Sequence, residues 1–223
     1  MKSLMWFRND LRMDDNPALR EACKSSDEVH AIYIYSQNQN NKHNEANCKT
    51  EFFIENIKAL ESELSKINIP LNIINSEGFK DNSELISNYA KNHSLNKVFW
   101  NNQFGVDENE RDASVQNYLK SKKIEFECFD EQVVFAPGTI LTGEDKPYSV
   151  FTPFKRRWIE NFNLDLLDIE FEYTKKNVTK IKSNLGGFDF IFVTFFLVYS
   201  NSISKRSKLK FSIHRLLKGV KTE

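Results

Sequence analysis

Trp6-Phe7-Arg8-Asn9-Asp10-Leu11-Arg12-Met13-Asp14-Asp15-Asn16-Pro17-Ala18-Leu19 reads as the end of a strand, a tight polar loop and the first turn of a helix. Leu4 to Phe7 is a short apolar run closing on aromatics, the pattern of a strand buried on both faces. Asn16 is placed as an N-cap and Pro17 as the first helical residue, where a missing N–H costs nothing. Between them Arg8, Asn9, Asp10, Arg12, Asp14 and Asp15 crowd two guanidiniums and three carboxylates into one loop. In an open α/β sheet such a loop sits at the carboxyl end of a strand, where ligands bind. A βα turn carrying only a surface ion-pair cluster has the same residues, and this stretch alone leaves both readings open.

Outward from that unit, strands and helices alternate. Val29 to Tyr35 is β-branched and aromatic, a second strand. Phe53, Ile57, Leu60, Leu64 and Ile67 recur at helical spacing with Glu and Lys between them, an amphipathic helix covering a sheet face. Ile69 to Ile74 follows as a third strand, Ser83 to His93 as a helix, and Lys97 to Trp100 as a fourth strand. Asp107 and Glu110 have the spacing of a capping box at the start of a helix running through Val115 and Leu119. Ile124 to Phe129 alternates as an edge strand would. Five strands alternating with helices predict a parallel, doubly wound, Rossmann-like α/β sheet over residues 1–130. Residues 131–182 read as an interdomain segment with a short helix opened by Pro153, and residues 183–223 as a divergent, poorly ordered tail.

Composition narrows the classes. The 223 residues carry no net charge, but from Thr174 onward there are eleven Lys/Arg against two acids, so an acidic body precedes a basic tail. The tail's aromatics are clumped rather than interleaved with its charges, a poor match to a nucleic-acid stacking platform. Cys23, Cys48 and Cys128 are widely spaced with no C-x-x-C, which suggests neither a disulfide framework nor a zinc site and fits a reducing cytoplasm. The first residues do not read as a signal peptide. The longest apolar run, Ile191 to Tyr199, is nine residues, short of the ~20 a membrane span needs. His30, His93 and His214 read as solvated surface groups, and no two histidines fall at metal-ligand spacing.

Three stretches carry a family resemblance. The opening pattern W-F-R-x-D-L-R-x-x-D-N-P-A-L resembles the amino-terminal signature of the DNA photolyase/cryptochrome family. Trp100 to Asp112 resembles that family's aromatic-N-x-x-[YF]-x-x-N-E-x-x-R-D pattern, with Asp107 standing where the pattern has Asn. Phe135 to Gly143 and Tyr148 to Trp158 resemble the segment by which the family leaves its first domain. The resemblance runs from about residue 3 to residue 158.

It implies the sheet order 3-2-1-4-5, which puts the loops after Phe7 and Trp100 on either side of one crevice. It also implies an antenna chromophore, methenyltetrahydrofolate or another, held by Glu108, Asp107 and the loop residue His43, with Arg8, Asn9 and Asn101 as cleft-lining candidates. A carboxylate suits the edge of a pterin because it can accept two adjacent N–H groups. The implied activity is light-dependent repair of pyrimidine dimers in damaged DNA, driven by FAD in a helical second domain that these motifs do not include. No catalytic residue is therefore assigned, and no nucleic-acid site is identified in this chain alone. Lys155, Arg156 and Arg157 read as a solvated or domain-packing face. The alternatives are a cryptochrome-like light sensor, a stand-alone chromophore-binding domain, or an inactive remnant of a truncated or frame-shifted gene. A flavin domain supplied by a partner chain would restore the first activity.

Overall fold

A computed structural model describes residues 1–36, 38–39, 46–163, 172–177 and 182–184. Strands β1 (Lys2–Phe7), β2 (Glu28–Tyr35), β3 (Leu71–Asn75), β4 (Lys97–Asn101) and β5 (Glu125–Phe129) form one parallel sheet in the order β3-β2-β1-β4-β5. Helices α1 (Pro17–Ser25), α2 (Asn47–Lys66), α3 (Asn82–Asn92) and α4 (Val106–Ser121) join successive strands, and α5 (Phe151–Asn161) follows. Alternation along β1 explains the two layers. Met5 and Phe7 point into a core with Leu19 and Ala22 of α1 and Ile57, Leu60 and Leu64 of α2. Leu4 and Trp6 point the other way, among Ile86 of α3 and Val115 and Leu119 of α4.

Asn16 caps α1, its side chain accepting from the Leu19 backbone N–H, and Pro17 opens the helix. Two other helix starts differ from the sequence expectation. Gly105, with extended backbone, is the N-cap of α4, which places Asp107 inside the first turn and removes it from the capping position. Helix α5 begins at Phe151, two residues ahead of Pro153; a proline in the first turn still costs no helical hydrogen bond, because those N–H groups have no intrahelical acceptor.

Helices α2, α3 and α4 end in one motif. Asn68, Ser94 and Lys123 take positive φ (62°, 56° and 58°). In each case the next N–H returns to the carbonyl five residues back: Ile69 to Leu64, Leu95 to Ala90, Ile124 to Leu119. This is the Schellman closure, normally built on glycine, here built three times without one. The apolar residue after each turn is buried, so packing offsets the backbone strain.

The segment beyond α5 comes back to the sheet. Asn177, 5% exposed, accepts from the Val29 N–H (3.0 Å) and donates to the Val29 and Asn68 carbonyls (3.1 and 2.6 Å), as a neighbouring strand would. The Tyr173 hydroxyl donates to the Met13 carbonyl at 2.7 Å. Asn184 forms a parallel bridge with Asn72, its carbonyl accepting from Ile73 N–H. The apolar run from Ile191 and the basic end after it lie outside the described residues. Among the described residues no helix is long and apolar enough to cross a membrane.

His30 is not a surface group: it is 2% exposed on β2, because its position on the strand faces α3. Its Nδ1 lies 3.2 Å from the Tyr89 hydroxyl, which accepts from Asn72 Nδ2 at 2.6 Å. The exposed His93 ring packs 5.0 Å from it. Burial first, then His93, lowers the pKa of His30, with Glu28 opposing from 3.3 Å.

Two outcomes follow from these features. Lys123→Gly relieves the positive φ and should raise the unfolding free energy from urea titration by about 0.5 kcal/mol, net of the entropy glycine adds to the unfolded chain. In acid, the unfolded chain takes up a proton on His30 near the ordinary value of 6.5 while the folded chain resists it, so the unfolded state binds more protons. Stability from this group is fully present above that pH and lost as pH falls below it. Urea midpoints across the window should therefore decline in acid for the natural chain and decline less for His30→Gln.

Candidate functional site

The loop after β1 is held from below by a buried brace. Asp10 accepts from the Arg8 backbone N–H at 2.7 Å and from Asn101 Nδ2 at 2.6 Å. Asn101 Nδ2 also donates to Asn16 Oδ1 (2.8 Å), and its Oδ1 accepts from the Ala18 N–H (3.1 Å). Three elements, the β1 loop, the first turn of α1 and the end of β4, thus converge on one polar knot. Arg12 pairs with Glu131 and donates to the Asp15 carbonyl, closing the outer side of the loop.

Above the knot lies a cleft of about 820 Å³ at the carboxyl ends of the strands. Trp6, Tyr33, Tyr35, Phe53 and Phe79 supply aromatic walls; Asn9, Gln39, Gln103 and Glu108 are among its polar lining. Arg8 and Arg111 line it too, with side chains each 5% exposed. Both share one carboxylate. Arg8 Nη1 donates to both oxygens of Asp112 at 2.8 Å, while Arg111 donates to Asp112 Oδ1 through Nε (2.9 Å) and Nη2 (2.7 Å) and to Gln103 Oε1 (2.9 Å). Burial pulls the pKa of Arg8 down, and Asp112 opposes that shift; a guanidinium nonetheless stays charged. Among the described residues, Arg8 Nε and Nη2 and Gln39 Oε1 are buried with no hydrogen-bond partner.

The sequence candidates separate. Arg8, Asn9 and Glu108 lie on the cleft. Glu108 folds back over Gly105, whose Cα lies so close that an added Cβ would stand 1.9 Å from Glu108 Oε2. Asn101 is corrected: it does not line the cleft but is buried beneath it in the polar knot, because its amide is consumed by Asp10, Asn16 and Ala18. Asp107, exposed on the first turn of α4, is not among the cleft-lining residues. His43 lies outside the described residues. Phe53, which the helical periodicity assigns to the sheet-covering face, stands on the cleft instead. Sequence reasoning missed Arg111, Asp112 and Gln103 as site residues. The signal was present: Glu108, Arg111 and Asp112 are three and four residues apart, one face of a helix.

A five-stranded doubly wound sheet with a cleft at its switch point is the arrangement in which open α/β domains bind ligands. The comparisons narrow the class. The DNA photolyase family model matches residues 3–173, and the chain belongs to that family. It is 37% identical over 164 residues to the deoxyribodipyrimidine photo-lyase of Salmonella typhimurium, covering 73% of this chain and 34% of that protein. The Escherichia coli enzyme of the same name is 35% identical over 158 residues, covering 70% and 33%. The chain thus spans about a third of the length of the curated relatives it matches. Among solved structures, a class III photolyase from Agrobacterium tumefaciens aligns with a TM-score of 0.63 at 22% identity, covering 83% of this chain and 36% of that one. A Sulfolobus tokodaii photolyase with two FAD molecules aligns at 0.58 and 19%, covering 83% and 39%. These structures share the fold of an amino-terminal photolyase domain.

The ion cluster makes an asymmetric prediction. Asp112→Asn leaves two buried guanidiniums without a carboxylate and should cost about 3–5 kcal/mol in urea unfolding. Arg111→Met leaves a one-to-one Arg8–Asp112 pair and should cost clearly less.

Proposed function

We propose that this chain is the light-harvesting α/β domain of a photolyase-type protein for light-dependent repair of pyrimidine dimers in DNA. The cleft is the observation that carries this reading: about 820 Å³ with aromatic walls and a few convergent polar groups, the form of a site for a planar heterocycle. Family membership and the names of the relatives direct that site toward light. The orphaned Gln39 Oε1 and the unpartnered N–H groups of Arg8 suit a ligand that brings both donors and acceptors.

Bound in the cleft, methenyltetrahydrofolate, a flavin or a similar chromophore would supply absorption of near-ultraviolet or blue light. The chain's own residues do the holding. Tyr33, Tyr35, Phe53 and Phe79 enclose the ring and exclude water, which limits non-radiative loss. Glu108 accepts from ring N–H groups, and the amides of Asn9 and Gln103 orient the edge of the ring. His43 lies outside the described residues and stays a contact that the family resemblance alone implies, and Asp107, off the cleft lining, makes none.

Repair requires an excited reduced flavin beside the lesion. We assign FAD and the contact with damaged DNA to a flavin-bearing domain acting with this one, in the same polypeptide or a partner chain. The three free cysteines suit work in a reducing cytoplasm. A cryptochrome-type light sensor is the second reading, favoured by the fold likeness to a Synechocystis cryptochrome (TM-score 0.59, 20% identity, covering 82% of this chain and 37% of that one).

Absorption titration of the purified chain with methenyltetrahydrofolate, flavin mononucleotide and FAD tests the proposal. At least one should be retained through gel filtration with a shifted band. Glu108→Ala should weaken that binding roughly tenfold, the scale of one charge-assisted hydrogen bond. Retention of none of the three would overturn the reading.

A further inference from the structure

Trp6 lies in the lining of the cleft, 1% exposed, with two guanidinium groups against its ring. Arg8 Cζ stands 4.7 Å and Arg111 Cζ 4.9 Å from the ring centroid, and Arg111 is also 4.9 Å from the ring of Phe79. The two cations share the carboxylate of Asp112, and among the described residues two nitrogens of Arg8 have no hydrogen-bond partner. Asp10 is the next acid to act on Arg8, and it is already committed to the loop and to Asn101.

An indole is a readily oxidised side chain, and beside a photoexcited ring it is an electron donor. One electron passing from the indole to such a ring would leave an indole radical cation paired with the electron held on the ring. Recombination of that pair returns the electron and releases the excitation as heat. A light-harvesting site lined by tryptophan therefore carries its own quencher.

The guanidiniums oppose the step through charge. They are attracted to the electron-rich face of the neutral ring but repelled by the radical cation. In a buried setting that repulsion is weakly screened. We infer that Arg8 and Arg111 keep Trp6 unoxidised beside an excited chromophore, so that excitation leaves the cleft as energy rather than being lost by electron transfer. Both act through Trp6 and are positioning residues. The inference rests on the light-harvesting reading above.

The test uses the full chain with flavin mononucleotide as the probe, bound flavin quantified by absorption and the indole radical followed by transient absorption after a laser flash. Arg111→Met removes one cation and leaves the Arg8–Asp112 pair; Arg8→Met leaves the Arg111–Asp112 pair and serves if the first variant folds poorly. Indole-radical yield per bound flavin should rise several-fold in either methionine variant. It should stay at the natural level in Arg111→Lys, which keeps the charge, and vanish in the double variant with Trp6→Phe. A role confined to packing would make lysine fail as methionine does. Bound flavin with an unchanged radical yield in the methionine variants, or a rise that survives Trp6→Phe, overturns this inference and leaves the light-harvesting reading standing. If the natural chain retains none of methenyltetrahydrofolate, flavin mononucleotide and FAD, the light-harvesting reading falls and this inference with it.

Discussion

The carboxylate of Asp112, buried and shared by Arg8 and Arg111, ties the two halves of the site together. Arg8 belongs to the loop after β1 and Arg111 to α4, elements far apart in the chain that flank the switch point of the sheet. Taking three charged groups out of water is expensive, and breaking such a cluster is far more costly than never having built it. The arrangement is therefore better understood as a fixer of geometry than as a source of stability. It seats both guanidiniums against Trp6 and orients Gln103 toward the cleft.

Beneath it, the knot of Asp10, Asn16 and Asn101 does for the backbone what Asp112 does for the side chains. The β1 loop departs from the sheet with several polar main-chain groups to satisfy, and short side chains, the carboxylate of Asp10 and the amides of Asn16 and Asn101, satisfy them. Asn16 has two tasks, capping α1 and accepting from Asn101. A loop fixed at that many points presents Arg8 and Asn9 to the cleft in one conformation, which lowers the entropy lost when a ligand is held there.

Much of this was legible in the residues. The Asn16-Pro17 start, the apolar alternation of the strands and the 3.6-residue stripe of α2 report local preferences, and they located the elements. Other features depend on partners remote in sequence. His30 is indistinguishable from a surface histidine until Tyr89 is seen to approach it. The three helix ends lack the glycine that would have announced them, because buried Ile69, Leu95 and Ile124 offset the strain. Asn101 sits in a motif that points to a ligand, yet its partners come from the β1 loop and the first turn of α1. Arg111, which lines the cleft, and its partner Asp112 share a helix face with Glu108, but only the fold shows which way that face turns.

The return of residues 172–177 and 182–184 to the sheet has a further consequence. β3 is an edge strand, and an unpaired edge is a template on which another copy of the same sequence can add. Ser183 Oγ accepts from the Leu71 N–H, and the Asn184 carbonyl takes the Ile73 N–H. The donors most exposed to such templating are thus occupied by the protein's own chain. The domain covers its own exposed edge with a few residues from a segment well beyond its last strand, a device against edge-to-edge pairing.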